Sequence, residues 1–305
     1  MRLVADIGGT NARVGLCVNG VIQTDTVQRF SNVDWDSLED VLAAYCEGPL
    51  SGAFDEMVIA VAGPVQAGKA TLTNRNWTIF DSLLVQKFGC KRAVLLNDLT
   101  ALGYAVPILS ADQTVHIYGK LAQGLAIGQA LVVGVGTGFN VSQVIKTKQG
   151  TVCPPAEAGH VSLHQNVVNE LKTLGLDSTH FPTVETLFSG RGLTAFCQQF
   201  TGQDDLTGEV AIASYSEQPF STPTIAIDSY ASLLGLHLRE LSLSYMPSHG
   251  IFLAGSVAHA IAKYAADPII EILQKPCPFR TPDGLSVFAI KDDSAALLGC
   301  AGYSN

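Results

Sequence analysis

Two glycine turns, an Asn-Asp pair and a few dispersed acid and imidazole groups are the residues whose types and spacing can do chemistry. The first turn, Asp6-Ile7-Gly8-Gly9-Thr10-Asn11, follows the apolar run Leu3-Val4-Ala5. Glycines without Cβ let backbone N–H groups turn inward onto phosphate oxygens, and an acidic residue at a strand end can hold the hydrated Mg²⁺ that accompanies a nucleotide. An ordinary hairpin turn with a capping Asp has the same letters. The second turn, Gly134-Val135-Gly136-Thr137-Gly138, ends another apolar run. Two such turns facing each other across a cleft would clamp a triphosphate, whereas duplication of a plain hairpin is the competing account. Extended patterns follow both turns, which argues against the helix N-terminus of a dinucleotide fingerprint and disfavours a dehydrogenase.

Asn97-Asp98 ends the apolar strand pattern Ala93 to Leu96 and precedes the helical pattern Leu99 to Val106. A carboxylate there sits where open α/β sheets hold ligands and could take a proton from an attacking hydroxyl. A helix N-cap is the alternative, since Asp fills that position often. Glu157, His160 and Glu185 could grip hydroxyl groups, the carboxylates accepting and the imidazole donating; singly, each also fits a solvated charge or a structural histidine. Gly63 to Ala70 reads G-P-V-Q-A-G-K-A, one residue from a phosphate loop, but Ala70 has no hydroxyl for Mg²⁺ and no helical pattern follows Lys69. Gly68-Lys69 is therefore read as a solvated turn.

The elements that must position these groups alternate. Residues 1–30 read as strand, glycine turn, strand, hairpin and strand, with Asn19-Gly20 as the hairpin, because a type I′ turn needs positive φ at both positions. Leu38, Val41, Leu42 and Tyr45 have helical spacing, Met57 to Val61 is an apolar strand, and Asp81 is expected to cap a helix through Phe88. A similar opening recurs about 128 residues later, which points to an internal duplication with one copy per domain. Helical stretches follow near 166–175, 184–200 and 222–245, then a strand at Ile251 to Leu253, a helix from Val257, a strand at Leu285 to Ile290 and a final helix from Ser294. The class is α/β with largely covered sheets.

At 305 residues the chain suggests two domains. Hydrophobic residues make up 47% and charged residues 15%, away from the composition of disordered segments. Eighteen basic against 27 acidic residues give a net charge of -9, so no general field attracts nucleic acid or anionic lipid. The N-terminal apolar run is too short for a signal peptide and no apolar run reaches about 18 residues, so the expected location is the cytoplasm. The seven cysteines are scattered and lack C-x-x-C spacing, each reading as a small buried hydrophobe.

Taken together, the motifs resemble the glucokinases of bacterial type, within the hexokinase branch of the actin-like superfamily. The resemblance runs in order through Asp6 to Arg13, Thr73-Asn74 with Trp77, Asn97-Asp98, Gly134 to Gly138, Glu157 to His160, Ser189-Gly190 with Gly192-Leu193, Ala254-Gly255 and Leu297 to Gly299. It implies an actin-like, ribonuclease H-like fold of two domains with duplicated mixed β-sheets, helices flanking them and a cleft between. A small domain of residues 1–105 and 291–305 would carry the first turn and Asp98, and a large domain of 106–290 the second turn, the sugar-binding Glu and His residues and the adenosine site. The resemblance makes Asp98 the general base, and Asn97, Glu157, His160 and Glu185 sugar ligands with Asn74 near them. ATP would lie against Gly8, Gly9, Thr10 and Asn11, against Gly136, Thr137 and Gly138, and against Gly190, Gly255 and Ser256. Asp6 would position Mg²⁺ through water, and a homodimer is suggested. The cysteine-rich zinc motif of the related ROK kinases is missing.

Glycine is usual in that family where this chain has Asn140, Ala158 and Ser256, and proline where it has Arg191. Ser256 would cost about 1 kcal/mol or more if its backbone needed positive φ. The implied reaction is transfer of the ATP γ-phosphoryl group to the 6-hydroxyl of glucose. Kinases for mannose, fructose or an amino sugar share these motifs, and a sugar-binding sensor without turnover is the alternative from another class.

Overall fold

The computed structural model describes residues 1–48, 54–72, 75–120, 127–217, 220–277, 284–291 and 294–303. The chain divides into two compact units, one of Met1–Leu109, Lys148–Cys153 and Asp292–Asn305, the other of Ser110–Thr147 and Pro154–Lys291.

The first unit is built on β1 (Arg2–Ile7), β2 (Asn11–Val18), β3 (Val21–Ser31), β4 (Glu56–Val61) and β8 (Arg92–Asn97), with the short β5 (Val65–Gln66), β6 (Lys69–Thr71) and β7 (Thr78–Phe80) in a separate sheet. The main sheet has the order β3-β2-β1-β4-β8, antiparallel within the hairpins and parallel from β1 through β4 to β8. β1 and β4 are apolar on both faces because helices cover the parallel part. Those helices are α1 (Leu38–Glu47), α2 (Asp81–Phe88) and α3 (Asp98–Ala105), with one more from the chain's end. Asn19 and Gly20 have φ of 51° and 81°, as the expected type I′ hairpin requires. Ala67 and Gly68 make a second left-handed turn between β5 and β6, with Lys69 exposed, so the near-match to a phosphate loop is a hairpin. One expectation fails locally: Asp81 is the first residue of α2 and Phe80 its N-cap, without a side-chain cap bond.

The second unit carries β9 (Thr114–Tyr118), β10 (Gly128–Val135) and β11 (Phe139–Lys146); β12 (Thr151–Val152) lies in the stretch assigned to the first unit. β13 (Ile251–Ala254) and β14 (Val287–Ile290) complete the run β11-β10-β13-β14-β9. Here too an antiparallel hairpin, β10-β11, offers its first strand to a later parallel strand, so the duplicated opening is a duplicated sheet plan. The helices are α4 (Gln165–Thr173), α5 (Val184–Leu187), α6 (Gly190–Thr201), α7 (Gly208–Glu217), α8 (Thr222–Tyr245), α9 (Ser256–Tyr264) and α10 (Ala266–Gln274). α8 runs through the core, with Ile227, Tyr230, Leu234 and Leu238 fully buried. The single helix expected over 184–200 is broken between α5 and α6, where Ser189 caps α6 by accepting the Gly192 N–H at 3.1 Å.

α11 (Ala295–Gly302) returns the chain to the first unit. It meets α3 backbone to backbone, since a Cβ on Gly299 would lie 1.7 Å from the Ala101 carbonyl oxygen. Arg2 Nη1 satisfies carbonyls at the end of α11, donating to Cys300, Ala301 and Tyr303 at 3.1, 3.0 and 2.9 Å. Cys17, Cys90, Cys153, Cys197 and Cys300 are buried as expected, while Cys46 and Cys277 are half-buried.

Candidate active site

In the first unit the glycine turn is closed by the Gly8 N–H donating to the Asn11 carbonyl at 2.9 Å. None of Gly8, Gly9, Thr10 or Asn11 has positive φ, so glycine leaves room at this turn instead of supplying a left-handed backbone. Asn32, fully buried, braces both ends: its Nδ2 donates to the Gly8 carbonyl and its backbone N–H to the Thr10 carbonyl, each at 2.8 Å. Sequence reasoning missed Asn32, and a lone Asn distant from the motif offers no signal.

Asp6, next to last in β1, lies directly opposite Arg13 on β2, and their side chains form an ion pair at 3.5 Å. Burial pushes the Asp6 carboxyl up to about 6 against the pull of the Arg13 guanidinium, and the charge of Asp98 adds to the rise. Asp98 opens α3. The helix cap is Asn97, whose Oδ1 accepts the Leu99 N–H at 3.0 Å and whose Nδ2 donates to the Gly63 carbonyl at 3.0 Å. Asp98 Oδ1 also accepts the Leu99 N–H, at 2.8 Å. Burial raises the Asp98 carboxyl above its usual range, opposed by the Leu99 N–H, its own backbone N–H and the Asn97 amide. Asn74 lies outside the described residues.

In the second unit three glycine-bearing segments converge. The Gly136 N–H donates to the Gly138 carbonyl at 3.0 Å, and the Gly190 N–H donates to the Gly136 carbonyl at 2.7 Å. A Cβ on Gly136 would stand 3.6 Å from Gly255 Cα and 3.7 Å from the Ser256 nitrogen. Gly255 takes the positive φ, 93°, while Ser256 is the first residue of α9 in ordinary helical geometry, so the strain expected at Ser256 is absent. No side chain caps α9, and the segment Gly136-Thr137-Gly138 thus lies against the starts of two helices, α6 and α9. Backbone donors of this kind suit phosphate oxygens. Among the described residues no group of three or more His, Cys, Asp or Glu side chains could cage a metal; a single carboxylate such as Asp6 fits Mg²⁺ that keeps its waters and is shared with phosphates.

Glu185, on α5, reaches the same turn: its Oε2 accepts the Phe139 N–H at 3.0 Å and its Oε1 pairs with Arg191 Nη2 at 3.4 Å. Glu157 and His160 are exposed on a 3₁₀ turn, Ala158–His160, that lies against β11; a Cβ on Gly159 would be 2.2 Å from the Phe139 carbonyl oxygen. Glu157, His160 and Glu185 are thus gathered around the start of one strand. Behind it His237, on α8, is 1% exposed and stacks on Phe188 at 5.1 Å, with Phe139 at 5.2 Å. Burial pushes its imidazole down to about 3, so the ring is neutral.

Residues 3–305 match the Glucokinase family. A glucokinase of Psychromonas ingrahamii is 27% identical over 99% of this chain and 96% of its own length. Among solved structures, a glucokinase from an Antarctic psychrotroph superposes with a TM-score of 0.84 at 25% identity, covering 99% of this chain and 97% of its own. A ROK family glucokinase from Streptomyces griseus, in complex with glucose and AMPPNP, shares the fold at a TM-score of 0.63 and 20% identity, over 98% and 97% of the two chains. With residues 3–305 matched, the chain belongs to the Glucokinase family.

Proposed function

We propose that this protein is an ATP-dependent sugar kinase that phosphorylates glucose at its 6-hydroxyl. The observation that carries the reading is the Glu185 carboxylate: it binds the N–H of Phe139, immediately after the Gly136–Gly138 turn, and so sets a group suited to sugar hydroxyls beside a cradle suited to phosphates. The family match and the glucokinase relatives support the same reading.

Glu157, His160 and Glu185 orient the sugar by hydrogen bonds, with Asn97 contributing what its amide has left after capping α3. Asp98 accepts the proton of the 6-hydroxyl as the oxygen attacks the γ-phosphorus; its carboxyl, raised by burial, lies closer to neutral pH, where a general base works best. Backbone N–H groups of the two glycine turns and the start of α9 carry the charge on the phosphoryl oxygens. Asp6, oriented by Arg13, would hold Mg²⁺, and the ion would neutralise phosphate charge.

A panel of hexoses tested for ADP release with and without Mg²⁺, with the product position identified by NMR, tests the reading. Glucose 6-phosphate formed only with ATP and Mg²⁺ is the expected result. Glucose binding without ADP release would overturn it in favour of a sensor, and a preference for another hexose would overturn the substrate.

A further inference from the structure

Asn140, the second residue of β11, stands where the resembled family has glycine, and its backbone φ is not positive, so no left-handed conformation explains it. Its side chain does. Nδ2 donates to the Ala156 carbonyl at 2.7 Å and reaches Glu157 Oε2 at 3.4 Å, while Oδ1 accepts the Ala158 N–H at 2.9 Å and the Val141 N–H at 2.8 Å. Donor and acceptor ends each have partners of the opposite kind, which fixes the amide's orientation. One side chain therefore spans three consecutive residues, 156–158, with Glu157 at their centre.

Glu157 needs such a clamp. Its φ of −131° and ψ of 58° fall outside helix and strand, and its side chain makes no cap bond for the 3₁₀ turn that follows. Within the turn the His160 N–H donates to the Glu157 carbonyl at 3.3 Å. The side chains of Glu157 and His160 are exposed, while Ala156 and Ala158 pack against the core and Gly159 is buried against Phe139. The amide of Asn140 ties residues 156–158, with the Glu157 carboxylate, to the strand that begins at the phosphate turn.

We infer that Asn140 is a positioning residue of the sugar site, acting through Glu157, and that its amide sets the direction of the carboxylate toward the sugar hydroxyls. This rests on the reading of Glu157 and His160 as sugar ligands. The Nδ2 contact also uses one lone pair of the carboxylate, leaving a defined remainder for the substrate, so Asn140 tunes which hydroxyl arrangement binds well.

The experiment uses the whole enzyme and four variants, Asn140→Ala, Asn140→Asp, Glu157→Gln and Asn140→Ala combined with Glu157→Gln, with glucose and ATP varied in turn. Asn140→Ala should raise the glucose KM about tenfold or more, the scale of one lost hydrogen bond to a charged group, with the ATP KM inside about twofold. In the Glu157→Gln background the same removal should cost much less, since two residues acting through one contact are not additive. Equal rises in both KM values, an unchanged glucose KM, or full additivity would overturn the inference. If Asn140→Ala fails to fold, Asn140→Asp decides: it keeps the acceptor for Val141 and Ala158 but faces Ala156 and Glu157 with a carboxylate, and it should give the same split. An unchanged glucose KM in Glu157→Gln alone would instead refute the sugar-site reading, whereas a rise there without one in either Asn140 variant refutes only the inference.

Discussion

Gly138 reads as a phosphate-turn glycine, yet its neighbourhood predicts a defect in sugar binding when it is replaced by alanine. A Cβ there would stand 2.5 Å from Glu185 Oε2 and 3.3 Å from its carboxyl carbon, closer than real Cβ contacts allow. The colliding atoms are the end of a flexible side chain, so the fold survives and the Glu185 carboxylate withdraws. Withdrawal breaks its acceptance of the Phe139 N–H at 3.0 Å and its pairing with Arg191 at 3.4 Å. A sugar hydroxyl that relied on that carboxylate loses a hydrogen bond to a charged group, about 1.5 to 3 kcal/mol, or roughly tenfold to a hundredfold in affinity. Titration calorimetry with glucose and, separately, with a non-hydrolysable ATP analogue measures both sides. Gly138→Ala should weaken glucose by that factor, and adding Glu185→Ala should weaken it little further, because the carboxylate is already displaced. Glucose affinity within twofold of the parent, with loss confined to the nucleotide, would refute the reasoning.

Asp98→Asn should lower kcat by roughly 10² to 10⁴ while glucose still binds, because the base is lost and the cap is not; as Asn97 caps α3, a variant keeping a third of the parent kcat would sink the assignment. Gly299→Ala forces a methyl group against the Ala101 carbonyl and must part α11 from α3, costing about 1 to 3 kcal/mol and lowering Tm by several degrees. An unchanged melting curve would show that the two helices separate freely. His237, with a folded pKa of about 3 against 6.5 unfolded, adds stability that is full above pH 6.5 and is lost as pH falls from there toward 3. His237→Phe should flatten that acid limb in urea titrations at pH 4.5 and 7.5, and an identical slope would refute the assignment.

Patterns with a period were legible. Alternation and the Asn19-Gly20 turn predict the β2-β3 hairpin, and the same hairpin logic sets Asp6 opposite Arg13, although that ion pair went unread. α10 escaped because Pro268 looks like a breaker, whereas in the first turn of a helix it removes no needed N–H. α7 escaped because it buries few side chains and so shows no apolar stripe. At the break between α5 and α6 the chain folds back on itself locally: a Cβ on Gly192 would lie 2.1 Å from the carbonyl oxygen of Leu187, five residues earlier. Asn32 could not be read at all, since a brace across a turn depends on where a distant loop returns.

The departures from the resembled family are physically coupled to their surroundings. Asn140 and Ala158, both in place of glycine, are joined by the 2.9 Å bond from the Ala158 N–H to Asn140 Oδ1. A glycine pair would leave that N–H to water and the turn freer to move, so the two changes together rigidify the backbone around Glu157. Arg191, in place of proline, pairs with Glu185 and is 82% exposed, so its pairing adds little to stability and its charge stays available beside the glycine cradle. Ser256 is tolerated because Gly255 absorbs the left-handed turn and leaves the next residue helical. The backbone objection at Ser256 therefore falls away, and Asn140, Ala158 and Arg191 lie against Glu157 and Glu185, the carboxylates proposed to bind the sugar. Differences from its relatives should accordingly appear first in the selectivity for sugar epimers, with ATP affinity following ordinary phosphate contacts.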